Sequence, residues 1–258
     1  MKEEKSFCDP ETGECTPSEL GEFKAKPKLN TDNEIIYVGD PMCSWCWGIS
    51  NHLKTLKSEY PQFKFSIVVG GLRPGGGEAW DDEMKKFLKH HWEEVTKRSG
   101  QPFGYSLFDK ESFNYDTEPP CRAVVASRKW MGENELQFFE SVSRKFYVDN
   151  EDPSEAEFYR SICQEFNIPF EQFKQIFESD ETKYSTHQEF QLNRQWGVKG
   201  YPTVLFKSGN QLFQINHGYT EFEQMQFVIE KILSEQENAF TSDLSDPLKC
   251  IARSARCK

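Results

Sequence analysis

The placement of strand-like segments constrains this chain most. Residues 34–40, EIIYVGD, form a short apolar run of strand character, and residues 63–71, FKFSIVVGG, form a second. Strand character returns only at residues 203–206, TVLF, and 211–215, QLFQI, joined as a hairpin by Lys-Ser-Gly-Asn. Residues from Glu78 onward read as helix in between. The two distant pairs read as halves of one small mixed α/β sheet, interrupted by an all-helical insertion. This predicts a sheet-bearing domain in two pieces, 34–77 and 186–240, an insertion at 78–185, and polar tails at 1–33 and 241–258.

Helical spacing supports that division. Ile49, Leu53, Leu56 and Tyr60 predict a helix that begins at a Cys-x-x-Cys pair. In the insertion, Trp80, Met84, Phe87, His91 and Val95 are expected to share one face. PPCRAVVASRKWM places proline at a helix start, where its missing N–H is harmless. ENELQFFESVSRKFYV, PSEAEFYRSICQEF, PFEQFKQIFES and the run from Asp180 to Trp196 follow as amphipathic helices. A last helix is expected from Thr220 to Ser234.

A chain of 258 residues suits one large domain, or one domain with an insertion, and can bury a core without disulfide staples. Its 22 phenylalanines make an aromatic core expected. The formal charge of −11 disfavours nucleic acid as a partner. No apolar run reaches membrane-spanning length, so no membrane partner is expected. The opening residues carry no apolar leader pattern, which predicts a cytoplasmic protein. In that compartment a close cysteine pair is more often catalytic or metal-binding than structural.

The pair lies in GDPMCSWCWGIS, residues 39–50. A thiolate is the nucleophile of disulfide exchange, and a helix N-terminus favours it through free N–H groups and aligned dipoles. Cys43, just before the expected helix, is the predicted nucleophile. Cys46, one turn on, is the predicted resolver. The alternatives are half of a zinc site or an inert pair. Zinc asks for four ligands, yet there is no second Cys-x-x-Cys, and adjacent His90 and His91 diverge by about 100° on a helix. No bound metal or organic cofactor is expected.

A second signal is GVKGYPTVLF, residues 197–206, where Gly-aromatic-Pro-Thr enters a strand. By itself this is an ordinary strand start. Joined to the strand–CxxC–helix setting, it makes the chain resemble the thioredoxin superfamily. The long helical insertion resembles the DsbA family. DPMCSWCWG, VGGLRPG, HHWEEV, GQPF and YDTEPPCRAVV are similar to its cytoplasmic group of protein-disulfide isomerase type, related to FrnE-type oxidoreductases. The resemblance spans residues 34–240. It implies a thioredoxin-like fold with a large helical insertion and a thiol–disulfide oxidoreductase or isomerase. It also implies a cis Tyr201–Pro202 peptide beside Cys43, and substrate contact by Tyr201, Pro202 and Trp45. The partners implied are protein thiols or disulfides, or glutathione or another thiol as co-substrate.

Two positions depart from that pattern. The buried acid that many thioredoxin-fold enzymes carry six residues before the first cysteine is here Tyr37. Asp40 is a nearer carboxylate that can substitute or serve only as a turn residue. Ser44-Trp45 offers no cation between the cysteines, so a less acidic Cys43 and a less oxidising couple are expected. Two rival functions stand beside the main one. One is glutathione-dependent isomerase or transferase chemistry of the kappa-like group, which typically has serine at the Cys43 position. The other is a non-enzymatic peptide-binding or holdase module.

Other candidates have structural readings. Cys121 and Cys163 lie among apolar neighbours and read as core. His52 and His187 read as surface or satisfied histidines, and His91-Trp92 as core packing or a cleft wall. Arg73 and Arg122 read as anion contacts or local salt bridges. CDPETGEC and CIARSARC give the tails a matched pair of Cys-x6-Cys motifs. Cys8, Cys15, Cys250 and Cys257 are therefore candidates for auxiliary redox chemistry or, alternatively, a four-cysteine zinc site, whose six-residue spacers are longer than usual, or ordinary reduced thiols.

Overall fold

The structure, a computed structural model, describes residues 33–245, with side chains to residue 236. Cys8, Cys15, Cys250 and Cys257 lie outside the described residues. Four strands form one sheet: β1 (Glu34–Gly39), β2 (Lys64–Val69), β3 (Thr203–Ser208) and β4 (Gln211–Gln214), in the order β2-β1-β3-β4. β1 and β2 are parallel, joined through helices α1 (Ser44–Gly48) and α2 (Ser50–Glu59). β3 runs antiparallel to β1, and β4 antiparallel to β3. Gly209 sits in the β3–β4 turn at φ 57°, a conformation glycine adopts without Cβ strain.

Six helices separate β2 from β3: α3 (Asp82–Ser99), α4 (Glu118–Met131), α5 (Glu135–Tyr147), α6 (Arg160–Glu165), α7 (Phe170–Glu178) and α8 (Asp180–Gln195). Helix α9 (Phe222–Ser245) follows the hairpin and runs further than its sequence pattern suggested. No helix among the described residues is long and apolar enough to cross a membrane.

Strand alternation divides the surroundings of the site. Ile36 and Val38 point to one face of β1, where they pack with Val68 and Leu205 beneath Trp196, Val198 and Tyr201. Tyr37 points to the other face, its ring 5.4 Å from that of Phe139 on α5. β2 is an edge strand, and its free edge is partly occupied by side chains. Arg128 of α4 donates to Ile67 O at 2.9 Å, and Val69 N donates to Glu189 of α8 at 2.8 Å. Arg128 also pairs with Glu189 and, at 2.6 Å, with Glu135.

The insertion does have an aromatic core. Trp92 is fully buried, with ring centroids of Phe108, Tyr147 and Phe146 at 4.8, 5.1 and 6.0 Å. The buried face of α3 is Leu88, Trp92 and Val95, not the expected stripe through Phe87 and His91. Packing explains the offset, since the Trp92 ring is enclosed by Phe108, Phe146 and Tyr147. The Asp81 side chain caps the helix by accepting from Met84 N at 2.9 Å, so α3 begins only after Trp80, which lies outside it. Phe87 is 49% exposed and lies 4.2 Å from the His91 ring. Residues 100–117 also depart from the helical pattern, with only one 3-10 turn at Ser106–Asp109. The proline-rich start of α4 is as expected, with Pro119 and Pro120 in its first turn.

Candidate active site

The two cysteines sit where β1 ends and α1 begins. Cys43 is the N-cap residue of α1, in extended conformation. Its N–H donates to Asp40 O at 2.9 Å, and its carbonyl accepts from Cys46 N at 2.9 Å and Trp47 N at 3.1 Å. Both are free thiols, Cys43 6% exposed and Cys46 1%. The preceding loop is held by the insertion. Ser143 of α5 donates to Pro41 O, and Tyr115 donates to Met42 O, each at 2.9 Å. Behind α1, a Cβ on Gly48 would come within 2.9 Å of Val95 Cγ1 of α3, so glycine permits that close approach.

Tyr201 and Pro202 meet the first cysteine from the far side of the chain. The Tyr201–Pro202 peptide is cis. Cys43 Sγ donates to Tyr201 O at 3.5 Å, within the longer reach of a sulfur hydrogen bond. The Tyr201 phenol is anchored by donating to Gly70 O at 2.7 Å.

Trp45 is half-buried and lines a cleft of about 490 Å³ with Glu94, Lys97, Arg98 and Tyr219. Its ring lies 5.7 Å from that of Tyr219. His52 accepts from Phe222 N through Nδ1 at 3.2 Å, so its proton is on Nε2 and donates to Tyr219 OH at 3.0 Å. Arg98 lies over the Tyr219 ring at 5.6 Å. The cleft beside Trp45 thus carries Lys97 and Arg98 together with Glu94, and Arg98 also pairs with Glu221 at 3.8 Å.

Beneath the pair lies a buried polar cluster. Burial pushes the Cys46 thiol well up, and the adjacent Cys43 sulfur adds to this. The Tyr37 phenol and Asp40 N–H facing it act the other way. Asp40 itself is fully buried. Its carboxylate accepts from Met42 N at 2.8 Å and Leu72 N at 2.7 Å. Burial pushes the Asp40 carboxyl up, against those two donors and the facing Thr117 and Cys121 side chains. Asp40 is therefore both the turn residue before Pro41 and a link from the cysteine loop to the start of α4. Its side chain is directed to Leu72, Thr117 and Cys121, while its backbone N–H faces Cys46.

Cys121 is buried, but its neighbour is the Asp40 carboxylate as well as apolar core. Burial first, and then that carboxylate, push its thiol well up. Cys163 is buried core. Arg73 pairs with Glu78 at 2.8 Å and Arg122 with Glu118 at 3.1 Å, so both are engaged locally. His187 lies edge-on to Phe190. Sequence reasoning did not connect Tyr115, Thr117, Cys121 or Ser143 to the cysteine loop. They lie far along the chain, and although YDTEPPCRAVV contains Tyr115, Thr117 and Cys121, nothing in that segment says which loop it meets. Among the described residues, no three His, Cys, Asp or Glu side chains gather as a metal site.

A family model described as thioredoxin matches residues 36–227. The chain belongs to the thioredoxin family. Its fold is the DsbA-like member of that family, with α3–α8 set between β2 and β3. Among solved thioredoxin-fold proteins, it is 33% identical to a candidate protein disulfide isomerase from Nitrosomonas europaea. That match covers 79% of this chain and 98% of the other, with TM-score 0.73. The cytosolic disulfide reductase DsbM from Pseudomonas aeruginosa shares the fold at 19% identity and TM-score 0.63, covering 77% of this chain and 98% of DsbM. DsbM has also been solved with GSH. A curated relative, the ClpXP adapter protein SpxH of Bacillus licheniformis, is 23% identical over 201 residues. This match takes in 75% of the present chain and 66% of SpxH, just under two thirds of its length.

Proposed function

We propose that this protein is a thiol–disulfide oxidoreductase working through Cys43 and Cys46 on protein disulfides or on glutathione-like thiols. The observation that carries the reading is the two-tier arrangement of the pair. Cys43 is the more accessible thiol and touches the carbonyl of Tyr201, while Cys46 is buried one helical turn beneath. Cys43 attacks a substrate sulfur, giving a mixed disulfide. Cys46 then attacks Cys43 and releases the substrate as a thiol. The reverse sequence passes a disulfide to a reduced substrate.

Tyr201 supports substrate binding in this reading. A backbone exposed beside the nucleophile can pair with an extended segment, and Trp45 borders the same mouth. Lys97 and Arg98 in the adjoining cleft suit the carboxylates of a small peptide thiol. The pair needs no bound metal or organic cofactor for this chemistry. The GSH-bound DsbM structure supports glutathione as co-substrate, and DsbM's cytosolic assignment supports the same compartment here.

The test is the reduction potential of the Cys43–Cys46 couple against glutathione, measured with reduction of a protein disulfide. A potential near about −270 mV assigns reductase work, and one near about −120 mV assigns oxidase work. Absence of a reversible couple overturns the proposal. The SpxH relative is named for an adapter role, so a binding assay belongs beside it. Undiminished activity without both cysteines would replace the redox reading with a binding one.

A further inference from the structure

Once a substrate sulfur has captured Cys43, Cys46 must lose its proton and attack from a site that is 1% exposed. Burial opposes the charge that forms there. Two protein donors face Cys46, the Asp40 backbone N–H and the Tyr37 phenol. The Asp40 carboxylate is committed elsewhere, to Met42 N and Leu72 N. Tyr37 is fully buried, its ring set against Phe139, and its hydroxyl has no hydrogen-bond partner of ordinary geometry among the described residues. The titratable groups around that hydroxyl are Cys46, Cys43 and Asp40. Gly39 makes its space, since a Cβ there would lie 2.3 Å from the Tyr37 Cζ and Oη atoms. A buried hydroxyl without a partner is costly. Here it is kept against a sulfur that must become charged.

We propose, on the disulfide-exchange reading above, that Tyr37 is a catalytic residue whose O–H donates to the Cys46 sulfur as it becomes a thiolate and attacks Cys43. In that step the Cys46 S–H bond breaks and the Cys46–Cys43 bond forms. The bond from Cys43 to the substrate breaks, its electron pair leaves on the substrate sulfur, and that sulfur ends with the proton. The mixed disulfide is itself the oxidant. Tyr37 keeps its own proton, because burial and then the neighbouring sulfurs hold its phenol well above the tyrosine range. A thiol is a weak acceptor and a thiolate a strong one, so the hydrogen bond strengthens as the charge develops. Donors that lie long in the resting site commonly tighten during reaction.

The test places Tyr37→Phe in a Cys43→Ser background and follows thiolate absorbance against pH. The Cys43→Ser/Cys46→Ser protein is subtracted to remove the other thiols. The expected result is an upward shift of the Cys46 titration by about one unit, a tenfold loss of thiolate. With Cys43 intact, substrate capture stays at its wild-type rate, and resolution slows about tenfold with its pH profile displaced upward. Thermal stability holds or rises, since only an unpartnered hydroxyl is removed. Gly39→Ala, which pushes the phenol aside but retains it, is the second variant and shifts the titration the same way. An unshifted Cys46 titration overturns the proposal, and with lowered stability it makes Tyr37 a packing residue. Failure of wild-type protein to exchange disulfides counts against the function, while the titration still decides the hydrogen bond.

Discussion

The Cys43 thiol donates to the backbone carbonyl of Tyr201 at 3.5 Å, across 158 residues of chain. The contact brings the end of β1 to the entry of β3, antiparallel neighbours in the sheet. A segment paired with Tyr201 would lie beside the Cys43 sulfur.

On the proposed disulfide-exchange reading, the more exposed Cys43 attacks and the buried Cys46 resolves. Cys43→Ser is expected to abolish reduction of a protein disulfide. Cys46→Ser is expected to capture substrate and retain it as a mixed disulfide, visible by mass. Release of product by Cys46→Ser at the wild-type rate would show that resolution does not need Cys46.

Tyr201→Phe separates the side chain from the backbone. The phenol's bond to Gly70 O is lost, with an expected cost of about 1 kcal/mol. The carbonyl that meets Cys43 remains. Denaturant unfolding should show the loss, while iodoacetamide alkylation of Cys43 keeps its rate. A large change in alkylation instead would mean that the phenol sets the position of the carbonyl.

Glu140 gives the fold a pH dependence. Burial raises its carboxyl to about 7 despite Lys54 at 3.5 Å. A raised carboxyl binds more protons folded than unfolded, so its contribution is complete below the model value of 4.5 and is lost as pH rises through about 7. Relative to wild type, Glu140→Gln should therefore gain about 2 kcal/mol between mildly acidic and mildly alkaline solution. Denaturant midpoints at the two pH values check this, and parallel curves would refute it.

Arg128 joins the insertion to the sheet edge through Glu189, Glu135 and Ile67 O. Arg128→Met leaves two half-buried carboxylates without their cation and should cost about 3 kcal/mol. Urea unfolding measures it. A loss below about 1 kcal/mol would place the network with ordinary surface pairs.

Sequence alone determined most of the elements and the candidate cysteine pair. Short apolar runs and turn residues marked β1 to β4, because strand character and a Gly-Asn turn are local properties. The CxxC marked Cys43 and Cys46 because thiol chemistry resides in neighbouring residues, while Pro202 was marked only by the resemblance that the CxxC and the Gly-Tyr-Pro-Thr entry carry together. The offset of α3 was less legible: Phe87 and Trp92 are both apolar, and packing against Phe108, Phe146 and Tyr147 decided that Trp92 turned inward. The cluster beneath the cysteines was decided by tertiary structure. Tyr37 and Asp40 are only three residues apart, yet what each side chain faces depended on which face of β1 met α5 and where the loop met α4. Nothing local says what Ser143, Tyr115 and Cys121 meet, although the last two lie in YDTEPPCRAVV, since their partners are 102, 73 and 81 residues away and only packing of the insertion on the sheet brings them there.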